Sequence, residues 1–137
     1  MTELTRIQMV VFLQSCDLFS YCKADEILRI SGIAHERRLQ PGTRIYAVGD
    51  AADELYCVVQ GAVDLTGPEK PGLRVGTLGT FGVREILCGR LRTEEAMVSE
   101  ETLLLAIEAE DFFDLLSNNI EIVKALFRHL LRSDDRT

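Results

Sequence analysis

The sequence predicts an α+β domain: an antiparallel β jelly-roll (double-stranded β-helix) core, flanked by short N-terminal helices and two C-terminal helices. Three observations support this fold class. Apolar residues recur at helical spacing near both ends of the chain, whereas glycines divide the middle into short strand-like segments. The 137 residues are 47% hydrophobic, which is enough material for one compact core.

Two short helices are predicted at the N-terminus. The second is expected from Asp25 to Ser31, because it carries closely spaced isoleucine and leucine side chains and is followed by Gly32. The first is indicated by apolar residues near the helical period: Leu4, Ile7, Val10, Val11 and Leu13.

The middle of the chain, from Ile33 to about Ile107, is predicted to form about eight short antiparallel strands. The strand boundaries are placed at turn residues: Gly42, Gly49-Asp50, Gly61, Gly67-Pro68, Pro71-Gly72, Gly76 and Gly79. Within one strand Leu55, Cys57 and Val59 face one side and Tyr56 and Val58 the other, so burial on both sides is expected. A similar strand contains Leu103, Leu105 and Ile107.

After Glu108 the helical period returns. A first helix carries Phe112 and Phe113 and is broken at Ser117–Asn119, where Asn118 and Glu121 have the spacing of a capping box. The last helix has a wide apolar stripe, which either packs entirely on the core or serves in part as a contact surface: Ile120, Val123, Leu126, Phe127, Leu130 and Leu131. The chain is thus interpreted as a single domain, 1–137, with N-terminal helices in 1–32, a β-roll in 33–108 and C-terminal helices in 109–132.

Composition argues against several functions. The formal net charge is −7, with 22 acidic and 15 basic residues, so no nucleic-acid partner is expected. No apolar run approaches the length of a membrane span and no signal-peptide pattern is present, which favours a cytoplasmic protein without a membrane partner. The four cysteines form no Cys-x-x-Cys pair, so reduced, mostly buried thiols and no metal are expected. No residue has the surroundings of a catalytic nucleophile or acid–base pair, so an enzyme is not expected.

The stretch "GTLGTFGVREILCGRLRTEE", residues 76–95, combines features with opposite electrostatic effects. A glycine-rich turn leads into a short apolar segment and then to Arg92, an arrangement suited to an anion. Glu94 and Glu95 follow almost at once and would repel one. The stretch therefore indicates an anion site that is weakened, altered or lost.

These residues carry a family resemblance. The segment "RRLQPGTRIYAVGDAADELYCVVQGAVDL", residues 37–65, resembles the core of a cyclic-nucleotide-binding domain, and Gly79, Phe81 and Gly82 are similar to that family's Gly-x-x-Phe-Gly start of the phosphate cassette, here 79–95. Gly89 and Arg92 stand where the cassette's later glycine and phosphate-binding arginine would be. The resemblance implies that backbone N–H groups and Arg92 bind the cyclic phosphate of cAMP or cGMP, with no other cofactor.

Two positions depart from the family pattern. The resemblance implies a glutamate after Phe-Gly that accepts the ribose hydroxyl, but this chain has Val83 there. Glu94 and Glu95 follow Thr93 where the family commonly has small residues. The predicted ligand-binding residues are Gly82, Val83, Arg92 and Thr93, and the carboxylates that would either reach the ribose or block the pocket are Glu85, Glu94 and Glu95. Pairing of Glu94 or Glu95 with Arg92 or Arg90 would fill the site with an internal salt bridge.

Two functions follow from the resemblance. The first is a regulatory or sensor module that binds a cyclic nucleotide weakly or with altered specificity and signals through its C-terminal helices. The alternative is a protein-interaction or dimerisation module that keeps only the fold. In either case a homodimer or an attached effector domain is expected to use the C-terminal helix.

Overall fold

The computed structural model describes residues 3–69 and 71–134; the two ends of the predicted domain, 1–2 and 135–137, lie outside the described residues. The helices are α1 (Arg6–Ser15), α2 (Ala24–Ser31), α3 (Val83–Cys88), α4 (Ala109–Ser117) and α5 (Ile120–Asp134), with a 3-10 turn at Asp17–Phe19. The strands are β1 (Ala34–Leu39), β2 (Arg44–Tyr46), β3 (Glu54–Thr66), β4 (Leu73–Val75), β5 (Thr80–Phe81) and β6 (Glu95–Glu108).

The strands form one antiparallel sheet, which confirms the predicted fold class. Its order is β1-β6-β3-β4, with β2 also pairing with β6 and β5 with β3. Within the described residues there are six strands rather than about eight, because β3 and β6 are 13 and 14 residues long. The two long strands pair along almost their whole length and form the centre of the sheet.

Gly61 is the main reason for the different strand count. It was expected to end a strand, but it lies inside β3, where the pairing with β6 shifts register between Val58 and Val63. Its φ of 105° is in the region that favours glycine. A Cβ atom there would come within 2.4 Å of the Thr102 Oγ1 atom. Gly61 therefore permits a bulge that lets β3 continue past the irregularity.

β3 and β6 are buried on both faces, as the alternation predicted. One face, called here the helix face, contributes residues to a core shared with all the helices: Leu55, Cys57, Val59, Leu103, Leu105 and Ile107. The other, called the cavity face, contributes to a second core inside the β-roll, where it meets residues of β2, β4 and β5: Tyr56, Val58, Val63, Leu65, Ala96, Leu104 and Ala106.

A disulfide joins the N-terminal helices to the helix face. It links Cys16, at the end of α1, to Cys57 in β3. The expectation of four reduced thiols is therefore wrong for this pair, because the fold brings together two cysteines that are 41 positions apart in sequence. Cys22 and Cys88 are free. Burial raises the pKa of the Cys22 thiol to about 11, whereas Cys88 is exposed.

The C-terminal helices begin and end close to where they were predicted. The break falls at Asn118–Asn119, but the predicted capping position of Asn118 is wrong, because α5 begins at Ile120 and the residue before it is therefore Asn119; the Asn118 side chain donates to the Asp114 carbonyl of α4. The apolar stripe of α5 divides into two sets. Ile122, Ala125 and Leu126 are buried, whereas Ile120, Phe127 and Leu131 are 65%, 59% and 64% exposed.

Two further observations concern the chemistry that the fold can support. Across residues 3–69 and 71–134, no helix is both long and apolar enough to cross a bilayer. In the same part of the chain, no three His, Cys, Asp or Glu side chains are grouped so that they could hold a metal ion.

Candidate functional site

The predicted cassette lies at the end of β5 and beside the cavity face. β5 leads to Gly82, which has a φ of 86° and precedes α3; α3 ends at Gly89, and the chain returns to β6 through Arg92. A Cβ atom on Gly82 would lie 3.2 Å from the Arg92 Nη1 atom and 3.3 Å from the Glu54 carbonyl oxygen. Glycine at position 82 thus serves both the backbone turn and the close approach of the arginine.

Arg92 is buried at the centre of this cassette. Only 1% of its side chain is exposed. Its Nη1 atom donates to the Gly82 carbonyl at 2.7 Å and to Glu85 Oε1 at 3.0 Å, and its Nη2 atom donates to the Glu54 carbonyl. Its guanidinium also lies 4.1 Å from the centre of the Tyr46 ring. Nε is buried and has no hydrogen-bond partner among the described residues.

Glu85 supplies the negative charge that balances Arg92. Its second oxygen, Oε2, accepts a hydrogen bond from the Thr93 hydroxyl at 3.2 Å. The carboxylate therefore bridges the arginine and the threonine that were predicted to bind a phosphate. Its side chain is 14% exposed, so the pair is largely shielded from water.

Arg92 forms the predicted internal salt bridge, but its partner is Glu85 rather than Glu94 or Glu95. Glu95 was a candidate, but its carboxylate receives a bond from Arg44 at 3.3 Å. Glu94 lines the cavity instead. Glu85 takes the role because the first turn of α3 starts at Gly82, directly under the Arg92 guanidinium, whereas Glu95 already belongs to a strand paired with β2 and β3.

The two larger cavities beside this ion pair differ in their lining. The inner one, of about 370 Å³, lies between the cavity face and the cassette and is lined by Gly82, Val83, Glu85 and Glu94 among others. The outer one, of about 540 Å³, includes Arg92 and Thr93 with the exposed side chains Val48 and Leu91. Four of the seven predicted site residues therefore form or directly contact the Arg92–Glu85 pair, namely Gly82, Glu85, Arg92 and Thr93, and Val83 and Glu94 line the inner cavity beside it. Glu95 alone points to another partner.

Val83 occupies the position where the resemblance implies a ribose-binding glutamate. It is half-buried and packs against the core shared with the helices, while also lining the inner cavity. Its side chain has no acceptor, so the predicted absence of that hydrogen bond follows from its chemistry.

Sequence reasoning missed the aromatic wall of the cavity. Tyr46, Tyr56 and Phe81 come from three different strands, and the Tyr56 and Phe81 rings stack with centres 4.9 Å apart. Alternation placed Tyr56 opposite Leu55, but only strand pairing shows what it meets. Glu54 was also missed: its carbonyl accepts from Arg92, and its carboxylate pairs with Arg37 and accepts from the Tyr56 hydroxyl at 3.1 Å.

Both tyrosines lie in a poorly solvated and negatively charged environment. Burial raises the pKa of Tyr46 to about 12; Arg92 opposes this rise, while the Glu85 and Glu94 carboxylates add to it. Burial also raises the pKa of Tyr56, with the neighbouring Glu54 carboxylate acting in the same direction. Both phenols are therefore neutral near pH 7.

A β-roll with flanking helices and an arginine-centred cassette beside an aromatic cavity defines a class of regulatory ligand-binding domain. Residues 36–119 match the family model of the cyclic nucleotide-binding domain, which spans more than half of the chain. The chain therefore belongs to this family, and the resemblance inferred from its sequence is confirmed.

Similar domains occur in larger proteins of several kinds. The chain is 26% identical over 109 residues to a cyclic nucleotide-gated potassium channel of Rhizobium etli; the match covers 80% of the chain and 30% of the channel. The N-terminal domain of a transcriptional regulator from Streptomyces coelicolor is 25% identical, with 91% of this chain and 93% of that chain covered and a TM-score of 0.77. The chain thus spans less than a third of that channel.

A second similar structure is the regulatory subunit of a cAMP-independent protein kinase A from Trypanosoma brucei, in a triple mutant bound to cAMP in the A site. It is 18% identical, covers 96% of this chain and 52% of that chain, and has a TM-score of 0.75. At this identity the likeness concerns the fold.

Proposed function

We propose that this chain is a regulatory module whose cassette binds a cyclic nucleotide, cAMP or cGMP, only weakly, because Glu85 holds the place of the ligand's phosphate. The observation that carries the proposal is the pair of hydrogen bonds from Arg92 and Thr93 to the two oxygens of the Glu85 carboxylate. Gly82, Arg92 and Thr93 would contact the cyclic phosphate once Glu85 has moved away.

Simple electrostatics indicates the size of the effect. A cyclic phosphate that remained 4 to 6 Å from the Glu85 carboxylate would lose about 1 to 4 kcal/mol, which corresponds to a roughly 5- to 800-fold weaker dissociation constant. If Glu85 instead swings out, its bonds to Arg92 and Thr93 must be exchanged for bonds to water. Either route weakens binding without removing the arginine.

The Trypanosoma brucei triple mutant supports this role for Glu85. Its three substitutions replace a glutamate by alanine and, seven and eight positions later, a threonine by arginine and a valine by alanine. Glu85, Arg92 and Thr93 have the same spacing in this chain. The variant that holds cAMP therefore combines an arginine like Arg92 with the loss of a glutamate spaced like Glu85.

Signalling through the C-terminal helices is supported by the way α3 packs. Val83 and Ile86 of α3 belong to the same core as Phe112 of α4 and Ile122 of α5. A ligand that moved α3 would therefore change the surface on which α4 and α5 pack. Such a change is a population shift, whose size is set by the ligand's preference for one helix arrangement.

Calorimetric titration with cAMP and cGMP tests the proposed function. Wild type is expected to bind weakly, and Glu85→Ala is expected to bind at least tenfold more tightly. Asp114→Asn is a matched control, since it removes one exposed carboxylate on α4 that does not line the inner cavity. A Glu85→Ala protein that folds like wild type but binds neither nucleotide would refute the proposal.

The second candidate function is an interaction module, and the outer stripe of α5 favours it. Ile120, Phe127 and Leu131 are exposed and spaced seven and four residues apart, so they lie on one side of the helix. This stripe would contact a second copy of the chain or an attached effector. Sedimentation velocity should then show association that Phe127→Ser abolishes; a monomer at all concentrations would exclude self-association through α5.

The remaining expectations also belong to the proposal. We place the module in the cytoplasm, without nucleic acid, membrane or metal as a partner and without catalytic activity. Its net charge of −7 supports the first of these exclusions. Retention on duplex DNA at physiological salt would overturn it.

A further inference from the structure

The inner cavity combines an apolar wall with a negatively charged end. Its volume is about 370 Å³, within the range of small-ligand sites. Tyr46, Leu65, Val75 and Phe81 form buried parts of the wall. This wall suits one flat aromatic ring system, because it offers apolar and aromatic surface with little competing charge.

The charges at this end of the cavity disfavour an anion. Glu85 and Glu94 both line it, and the positive charge of buried Arg92 is already matched by Glu85. Among the described residues that line this cavity the one cation is Arg84, which is exposed, so much of its charge is screened by water. A phosphate placed here would face two carboxylates, whereas an uncharged ligand would avoid that repulsion.

The same carboxylates are suitable acceptors for hydroxyl groups. An ionised carboxylate can accept about four hydrogen bonds, two at each oxygen. Glu85 accepts one bond at Oε1 and one at Oε2, so each oxygen keeps acceptor capacity. A ligand with adjacent hydroxyls could therefore donate to Glu85 without displacing it from Arg92.

We propose that the preferred ligand of this cavity is an uncharged nucleoside, whose base packs on the aromatic wall and whose ribose hydroxyls donate to Glu85 and Glu94. This inference rests on the proposed function in one respect, namely that a ligand binds beside the Arg92–Glu85 pair, and it places that ligand in the inner cavity. It assigns Glu85 a second role, since the residue that weakens phosphate binding becomes the acceptor for the sugar.

The test compares ligands that differ only in the relevant groups. The 137-residue protein is titrated calorimetrically with adenosine, guanosine, their 2′-deoxy forms, cAMP and cGMP. We expect at least one nucleoside to bind wild type tenfold or more tightly than its cyclic nucleotide, and its 2′-deoxy form to bind several-fold more weakly. In Glu85→Ala the preference should reverse, whereas Asp114→Asn should behave like wild type.

The outcomes separate this inference from the proposed function. Nucleosides that fail to bind wild type, together with cyclic nucleotides that gain affinity in Glu85→Ala, would overturn the inference and leave the proposed function standing. Nucleoside binding without that gain would support the inference and refute the proposed weakening by Glu85. Equal affinity for the nucleoside and its 2′-deoxy form would overturn the assigned role of the ribose hydroxyls. A single cooperative unfolding transition of Glu85→Ala and Glu85→Gln, with a midpoint above the titration temperature, would show that any loss of binding is not caused by misfolding.

Discussion

The two faces of β3 and β6 are built by alternate residues of the same strands, yet they serve different purposes. The helix face presents aliphatic side chains and Cys57 to the helices and is cross-linked to α1. The cavity face contributes Tyr56 and meets the rings of Tyr46 and Phe81 and a buried arginine–glutamate pair. The comparison shows that one ladder can hold the domain together on one side while supporting polar, energetically costly groups on the other.

The largest expected effect lies on the cavity face. Arg92→Ala should lower the free energy of unfolding by about 3 to 5 kcal/mol, because it leaves the Glu85 carboxylate poorly solvated and unpaired. Urea denaturation measures the loss. The double variant Arg92→Met with Glu85→Leu should retain most of the wild-type stability, since it removes both charges. A loss equal to that of Arg92→Ala would contradict the ion-pair explanation.

The next largest effect lies on the helix face. The Cys16–Cys57 disulfide closes a segment whose ends are 41 positions apart, and its removal by Cys16→Ala with Cys57→Ala should cost about 2 to 4 kcal/mol. Thermal unfolding with and without a thiol reductant provides the measurement. The exposed Cys88 gives the control, because Cys88→Ala should leave the melting temperature unchanged. Mass spectrometry after alkylation that finds four reactive thiols in the unreduced, unfolded protein would contradict the cross-link.

A smaller effect should appear on the cavity face at alkaline pH. The folded protein raises the pKa of Tyr46 to about 12, so it retains this phenolic proton more strongly than the unfolded chain does. Stability from this group is complete below pH 10 and is lost as pH rises towards 12, by about 1 to 2 kcal/mol. Tyr46→Phe should flatten this part of the stability–pH curve, and an unchanged slope would show that Tyr46 does not contribute.

The smallest effect is expected at an exposed ion pair outside the cavity face, in which Arg74 of β4 donates to Asp64 of β3 at 2.8 Å. This contact lowers the pKa of Asp64, so its stabilisation exists above the unfolded pKa and is lost as the solution is acidified. Because both side chains are substantially exposed, water and salt screen the pair. Asp64→Asn should therefore leave the urea midpoint almost unchanged, and a loss comparable with Arg92→Ala would invalidate the contrast between the two pairs.

Much of the fold could be predicted because its signals are local. Period-two alternation in β3 correctly assigned Leu55 and Tyr56 to opposite faces, and helical spacing located α4 and α5. Gly61 was wrongly predicted to end a strand, since a glycine inside a bulge and a glycine in a turn have the same sequence signal. The cassette was located by its glycines and Arg92, but the partner of Arg92 was not.

The sequence by itself determined the order of the elements, the two-sided burial of the long strands, the family and the presence of a cassette, because each depends on residue type and short spacing. Only the tertiary structure decided that Glu85 rather than Glu94 or Glu95 binds Arg92, that Cys16 meets Cys57, and that Tyr46 and Phe81 join Tyr56. These contacts join segments whose separation in space is set by strand register and by the direction of the turn at Gly82. Residue type alone does not specify either quantity.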